Sequence, residues 1–589
     1  MEQRRHSRRW PVVLLLVLAV LVGAFLLFKD RLADNALRQV AALAEKGGHR
    51  ITFGAVQVSL LDQHIRLDDL NVVPLTDSTH EDSTVRYTVH ADRIDLRGVK
   101  LMALLQRNVL HVGHIELHGP SVQHSFMARQ AKASRPDSLQ QPPPKAKGKG
   151  LPLDVLRVDT LLIADATGRS QDRSSTDPAL SIGELDLLIT GIHLVTDAQG
   201  RVVPDMQSVQ LDLHKAETHI RPYYTLTLDS ARIRIPQDTA FLFGVRFTPT
   251  VAPKEYHKLV DTQVELYRAV VDTLLLSGFD LASRLRDGSI RAKELRVAGV
   301  AVDIHRDKTL PLGPVKPKPL LADRIIGMHL PVQVDTIRVH RGRVTYHERL
   351  KAGADYGSIA FTHIEGVLTG FGNLPRVDVP DLHLLGSAHV GHARAQVDIR
   401  MPMNSKRTTV DVHVRLKGFP ATDMNRMTDD LLHVTATQGI IHLVDLRMHG
   451  DNDRATGTID MHYEDLAMEL GTQIKHAKLL TKVANMAVRG SNMPGTKGYR
   501  KGRFSVQKPE NAGVFKYLWI SLRTGMMEVM LPQALLKQMQ KQQERKKAPS
   551  TGSGQAPSTS SGQATSTSSG QAPSTGSGQG GGKKGRKKH

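Results

Sequence analysis

The 589-residue sequence predicts a mainly β chain. The expected order is an N-terminal transmembrane helix, an elongated, bent antiparallel β-sheet built from repeats, short helices, and a disordered C-terminal tail. Three observations predict this. Residues 91–124 match residues 271–304 in order and without a gap, at a constant offset of 180. Most of the chain after residue 49 alternates apolar and polar residues with the period of a strand. An uncharged apolar run occupies residues 11–28, whereas the last forty or so residues are too polar and repetitive to bury a core.

The internal match is one of backbone plan. Asp92 falls on Asp272, Leu96 on Leu276, Gly98 on Gly278, Leu110 on Ile290, Ile115 on Leu295, Gly119 on Gly299 and Val122 on Val302. Glycines, apolar residues and one aspartate are what recur. A repeated unit of this kind points to an elongated architecture in which each unit buries its apolar face against the next.

Along the chain, residues 1–10 carry Arg4, Arg5, Arg8 and Arg9, and residues 11–28 (PVVLLLVLAVLVGAFLLF) are long enough to cross a bilayer. Four arginines before the run, against Lys29 and Arg31 offset by Asp30 after it, place the N-terminus in the cytoplasm and everything after Phe28 outside. A cleaved signal peptide with its site at Val22-Gly23-Ala24 is the alternative; the uncleaved anchor is preferred because the apolar run continues through Phe28. Residues 29–48 read as a helical stalk ending at Gly47-Gly48. Residues 49–532 form the β body. Several of its runs change parity partway, as in Leu110, Val112 then Ile115, Leu117, and in Val332, Val334 then Ile337, Val339, which is expected of β-bulges.

Each repeat leads from a strand through Gly98 or Gly278 into a short apolar turn or helix, then into a long return strand and a Pro/Lys-rich loop at 134–150 or 309–320. A similar strand begins after each loop, with Val158-Asp159-Thr160-Leu161 in one copy and Val334-Asp335-Thr336-Ile337 in the other. Residues 443–470 read as a hairpin, 478–488 as a short helix, and 515–522 with 525–531 as a last hairpin. Residues 533–547 read as a C-terminal helix, and 548–589 as a disordered Ser/Gly/Gln-rich tail.

Composition narrows the chemistry. No cysteine is present, which removes disulfides, thiol catalysis and thiolate metal sites. Aromatics are 4% of the chain against 40% hydrophobics, so the core is aliphatic and offers few platforms for stacking bases. Of the net charge of +21, nine Lys/Arg and one Glu after residue 540 supply +8, which leaves +13 spread among many acids. Nucleic acid is therefore not an expected partner; anionic lipid or another anionic envelope polymer is.

No motif specifies catalysis, and the chain is not expected to be an enzyme. Neither GxSxG nor HExxH occurs. Residues 490–497 (GSNMPGTK) approach a phosphate-binding loop but lack its Gly-Lys-Ser/Thr. Asp68-Asp69 and Asp429-Asp430 are adjacent in sequence, so in a strand they point apart. The motif HVGH occurs at 111–114 and at 389–392; strand parity sends its two histidines to opposite faces, so no metal and no cofactor is expected.

Together, the single N-terminal anchor, the GVKLMALLQRN...IELHGPSV unit and HGDNDRATGTIDMHYEDLAMEL at 449–470 resemble the AsmA-like proteins of Gram-negative envelopes. These are related to the repeating β-groove, or bridge-like, lipid-transfer superfamily. The resemblance spans roughly residues 29–532 and implies a strongly bent antiparallel sheet forming an apolar groove that holds acyl chains between membranes.

On that basis the expected groove residues are Leu96, Leu110, Val112, Ile115 and Leu117 in the first copy, and Leu276, Ile290, Leu295 and Val297 in the second. A dry core between sheet and loops is the other reading of the same residues. The expected function is phospholipid transport or outer-membrane maintenance by an inner-membrane protein, with outer-membrane or envelope proteins as further partners. An envelope scaffold using the β body and the basic tail is the alternative. Lys583, Lys584, Arg586, Lys587 and Lys588 form either a grip on anionic headgroups, at about 1 kcal/mol each, or a solubilising end.

Overall fold

The computed structural model describes residues 49–59, 62–74, 85–100, 109–126, 155–173, 178–196, 202–220, 222–375, 379–404, 407–425, 434–470 and 490–531. The expected anchor (11–28), the stalk (29–48), the loop at 134–150, the helices at 478–488 and 533–547, and the tail with Lys583, Lys584, Arg586, Lys587 and Lys588 lie outside them. Among the described residues no helix is long and apolar enough to cross a membrane.

Twenty-two strands form one sheet. At its N-terminal end β1 (His49–Thr52) and β2 (Val56–Ser59) both pair with β3 (His64–Pro74), which pairs with β4 (Val85–Arg97). Next comes β5 (Val109–His118), continued by β6 (Ser121–Phe126), then β7 (Val155–Asp172) and β8 (Pro178–Thr196). One strand position is again shared by β9 (Val202–Asp205) and β10 (Ser208–Ile220). The series continues through β11 (Tyr224–Ile235), β12 (Thr239–Pro249), β13 (Leu266–Ser277), β14 (Ile290–Asp307), β15 (Val332–Arg349) and β16 (Gly357–Gly372). It closes with β17 (Leu382–Val390), β18 (Ala393–Met401), β19 (Thr409–Pro420), β20 (Val434–Asp451), β21 (Arg454–Leu470) and β22 (Gly502–Gln507). Along the hydrogen-bonding direction this is about 90 Å of sheet at the usual strand spacing.

The sheet is mixed, which corrects the expectation of a wholly antiparallel one. Strands β5 and β6 run parallel to β7, and β14 runs parallel to β15. The two Pro/Lys-rich loops explain this. A parallel neighbour requires a crossover of a dozen or more residues, and each loop falls in such a connection. In the second copy the crossover contains the short helix α3 (Leu321–Ile326); before it come α1 (Pro253–Tyr256) and α2 (Leu281–Asp287).

The repeated aspartate and glycine have a shared structural reason. Gly119 and Gly299 have φ of +59° and +66°, and a Cβ on either would lie 2.0 Å and 1.9 Å from the Oδ2 of Asp92 and Asp272, directly opposite on the neighbouring strand. Only glycine tolerates both the left-handed conformation and the close carboxylate. In β14 the apolar set changes parity at this glycine, from Leu295 and Val297 to Val300, Val302 and Ile304. The interrupted pleat keeps both sets on one side of the sheet. Elsewhere an ordinary residue takes the same role: the left-handed Asp165 and Arg341 donate their backbone N–H to Asp186 and Glu365 at 2.9 Å.

Two further expectations are corrected. Residues 515–522 and 525–531 are not a hairpin but one helix, α4 (Val514–Met530). Its run is apolar on nearly every side, so periodicity alone does not separate strand from helix. The buried Tyr517, Ser521, Gly525 and Val529 recur every four residues and pack one helical face onto β21 and β22. The second HVGH lies on a turn: Gly391 and His392 link β17 to β18, and His392 pairs with Asp423. The expected hairpin at 443–470 is present as β20 and β21, turning at Asn452-Asp453.

Candidate functional site

Directly paired residues in a sheet point to the same face. Followed strand to strand, the pairings join the sequence-expected positions into one apolar row. It runs from Leu67 through Ile94 to Leu117, then Ile163 and Leu187. From Leu211 and Ile233 it continues across Ala240 to Leu276, Leu295 and Ile337. Leu368, Leu384, Ile399, Val412 and Met448 complete it. Leu96 and Ile115 belong to the adjacent row, paired with Ile65 and Leu161, and Val297 to the row on the other side, between Leu274 and Val339.

The two copies of the repeat differ in cover. Leu96, Val112, Ile115 and Leu117 are buried in an N-terminal core with Ile65, Leu67, Leu70 and Val158, against which Ile51, Phe53 and Val56 also pack. These four are thus buried in the fold, as the core reading of them expects. The side chain of Leu110 lies outside the described residues. Leu276, Ile290, Leu295 and Val297 are only half-buried. A second core begins at Leu320, where α3 and then α4 cover the sheet; among the described residues between Val158 and Leu320, the buried Val209, Ala231, Tyr256, Leu266 and Ala292 belong to neither core. Ile163 packs against the first core and Leu368 and Ile399 against the second, so the part of the row that belongs to neither runs half-buried from Leu187 to Ile337, about 30 Å at the usual strand spacing.

The opposite face is charged. Arg232 and Arg234 pair with Asp212, Arg296 and Arg338 with Glu294, and His413 and Arg415 with Asp445. Most described histidines serve as partners of this kind, as in His64 to Asp95, His111 to Asp159 and His383 to Asp398. Asp95, Glu116 and His118 each bring a ligand atom within 4.8 Å of the others. They are part of an ion-pair network: Asp95 accepts from His64 at 2.7 Å and Arg66 at 3.0 Å, and Arg97 faces Glu116 at 3.6 Å. Burial alone would raise the buried Asp95, but His64 and Arg66 hold it below the usual carboxylate range.

Where β13 starts and β14 and β15 end, both faces finish in titratable groups. On the polar side His305 stacks on His347 at 4.2 Å, His257 bonds to the Tyr356 hydroxyl at 2.8 Å, and Arg349 pairs with Asp307. Burial, aided by His347, pushes His305 down to about 4. On the apolar side, rows of Ala269, Val302 and Val344, then Tyr267, Ile304 and Tyr346, lead to Arg306 and Glu348. Arg306 binds Glu265 at 3.1 Å, Lys308 binds Glu348 at 2.5 Å, and the Tyr267 and Tyr346 hydroxyls donate to the same two glutamates. Burial and Glu265 push Tyr267 up to about 12. Sequence reasoning missed this rim, because its members are scattered over three strands and a loop and share no motif spacing.

No protein-family model matches the chain. No curated protein matches it either.

Proposed function

We propose that this chain is a membrane-anchored envelope protein of the AsmA-like kind, which carries phospholipid acyl chains along its half-exposed apolar face and catalyses no reaction. Residues 11–28 would hold it in the inner membrane with the body in the periplasm, and its role would lie in phospholipid movement or outer-membrane upkeep. One observation carries the reading. The apolar row stays unbroken across the sheet, while the two buried cores found among the described residues pack on it toward its ends. Apolar surface of that extent is unfavourable in water unless a partner fills it, and a row without charge or hydrogen-bonding groups fits methylene chains. The charged opposite face leaves the sheet amphipathic, with solvent on that side and hydrocarbon along the apolar one, headgroups staying in solvent at its open edge.

The test uses the full chain in cells, with a photoreactive amino acid in place of Leu276. Cross-linking followed by mass spectrometry is expected to recover phospholipid there, and none from the same probe at Arg296 on the polar face. A protein adduct at Leu276 without lipid would sink the reading and favour an envelope scaffold.

A further inference from the structure

On the charged face of the first repeat one carboxylate is buried. Asp95 alternates with the core residues Ile94 and Leu96 and so points away from the N-terminal core, yet it is only 1% exposed. His64 and Arg66 of β3 enclose it on one side and Glu116, directly opposite on β5, on the other. Both of its hydrogen bonds fall on Oδ1, from His64 at 2.7 Å and Arg66 at 3.0 Å, and Oδ2 accepts none among the described residues.

Two further ligand groups reach the same place. Glu116 and His118 lie two residues apart on β5 and share its polar face. One ligand atom from each of Asp95, Glu116 and His118 falls within 4.8 Å of the other two. Neither the Glu116 nor the His118 side chain makes a hydrogen bond among the described residues; Glu116 has only Arg97 at 3.6 Å and His118 Nε2 at 3.7 Å beside it. Arg66 and Arg97 offset the two carboxylates, and Arg93 alongside faces Asp68 at 3.8 Å. Arg97, half-exposed and without a hydrogen bond to Glu116, is free to turn toward solvent.

The fold does not require this set. At the offset of 180 the second repeat has Leu275, Arg296 and Ala298 in these places, and Leu275 pairs with Arg296 as Asp95 pairs with Glu116. The same backbone plan is therefore held without the three ligand groups.

We propose that Asp95, Glu116 and His118 bind a divalent transition cation of the zinc class, which joins β4 to β5 on the face opposite the N-terminal core. Two carboxylates with an imidazole suit zinc, whereas calcium and magnesium take oxygen ligands. Ligand atoms around tetrahedral zinc stand about 3.4 Å apart, so the part-exposed Glu116 and His118 turn inward while His64 and Arg66 hold Asp95 in place. The fourth position is left to water. This site is independent of what the apolar face carries.

The experiment takes the full chain in detergent, purified without a histidine tag and stripped with a chelator, and titrates it with zinc against a chromophoric competitor. A single tight equivalent is expected. Glu116→Gln and His118→Ala, each alone, should weaken it about tenfold or more, while His449→Ala, at a histidine bonded to Asp411 on other strands, should leave it unchanged. Cobalt in place of zinc should give the visible absorption of a tetrahedral site in the unaltered chain and lose it in both variants. Hydrogen exchange should slow in β4 and β5 when zinc is added to the unaltered chain. Glu116 and His118 are 21% and 34% exposed on the polar face, so neither substitution opens the core, and exchange without zinc should match in all chains. Absence of a tight equivalent overturns the site. A tight equivalent that either substitution leaves intact overturns it as well, and assigns the zinc to adventitious binding by other histidines.

Discussion

Ile115 and Leu295 occupy equivalent places in the two repeats, and one substitution should act on them in opposite ways. Ile115 is 5% exposed inside the N-terminal core, whereas Leu295 is half-exposed in the middle of the open row. Ile115→Asp loses about 2–3 kcal/mol of side-chain burial, and the carboxyl it introduces has no partner there, so the total cost is about 4 kcal/mol or more. Leu295→Asp removes part of a side chain already in contact with water, at a cost of about 1 kcal/mol. Hydrogen exchange on the full chain should show protection lost in β3 to β7 for the first variant and unchanged protection for the second. Lipid capture at position 276 should show the reverse pattern: lost in Leu295→Asp, because a charge interrupts the row beside the probe. Equal destabilisation by both would mean that the middle of the sheet is a covered core. Unchanged capture in Leu295→Asp would mean that acyl chains do not use this row.

Three further outcomes follow from the geometry. Gly299→Ala should cost at least about 1–2 kcal/mol for the left-handed conformation, and more if Asp272 must move; Asp272→Ala in the same chain should recover only the second part, as a thermal or denaturant series would show. His305 should titrate near pH 4 by NMR. Its folded value lies below the ordinary one near 6.5, so its contribution is fully present above 6.5 and is lost as pH falls toward 4; a midpoint near 6.5 would contradict the buried cluster with His347, His257, Tyr356, Asp303, Asp307 and Arg349. Tyr517→Ala, at a side chain 1% exposed, should cost about 3–5 kcal/mol and raise hydrogen exchange in α4 and β22 ahead of the rest of the sheet.

The sequence by itself determined the strand-rich class, the repeat, and the apolar identity of nearly every position in the row. Local physics was enough for that. Alternation at period two assigns a face to Leu295 and Val297 without knowledge of what lies above them, and the recurrence of Asp92 and Gly119 as Asp272 and Gly299 marks a shared backbone plan. Tertiary structure decided what could not be local. Whether 514–530 is a helix depends on the surface it packs on, since its composition suits either period. Strand direction at β7 and β15 depends on where a crossover lands. Most of all, cover is not written in the residue it covers: Ile115 and Leu295 are alike in pattern, yet one is buried in a core and the other is half-buried outside both cores. The rim of Glu265, Tyr267, Arg306, Tyr346 and Glu348 has the same origin, because groups from a loop and three strands meet only when the chain folds them together.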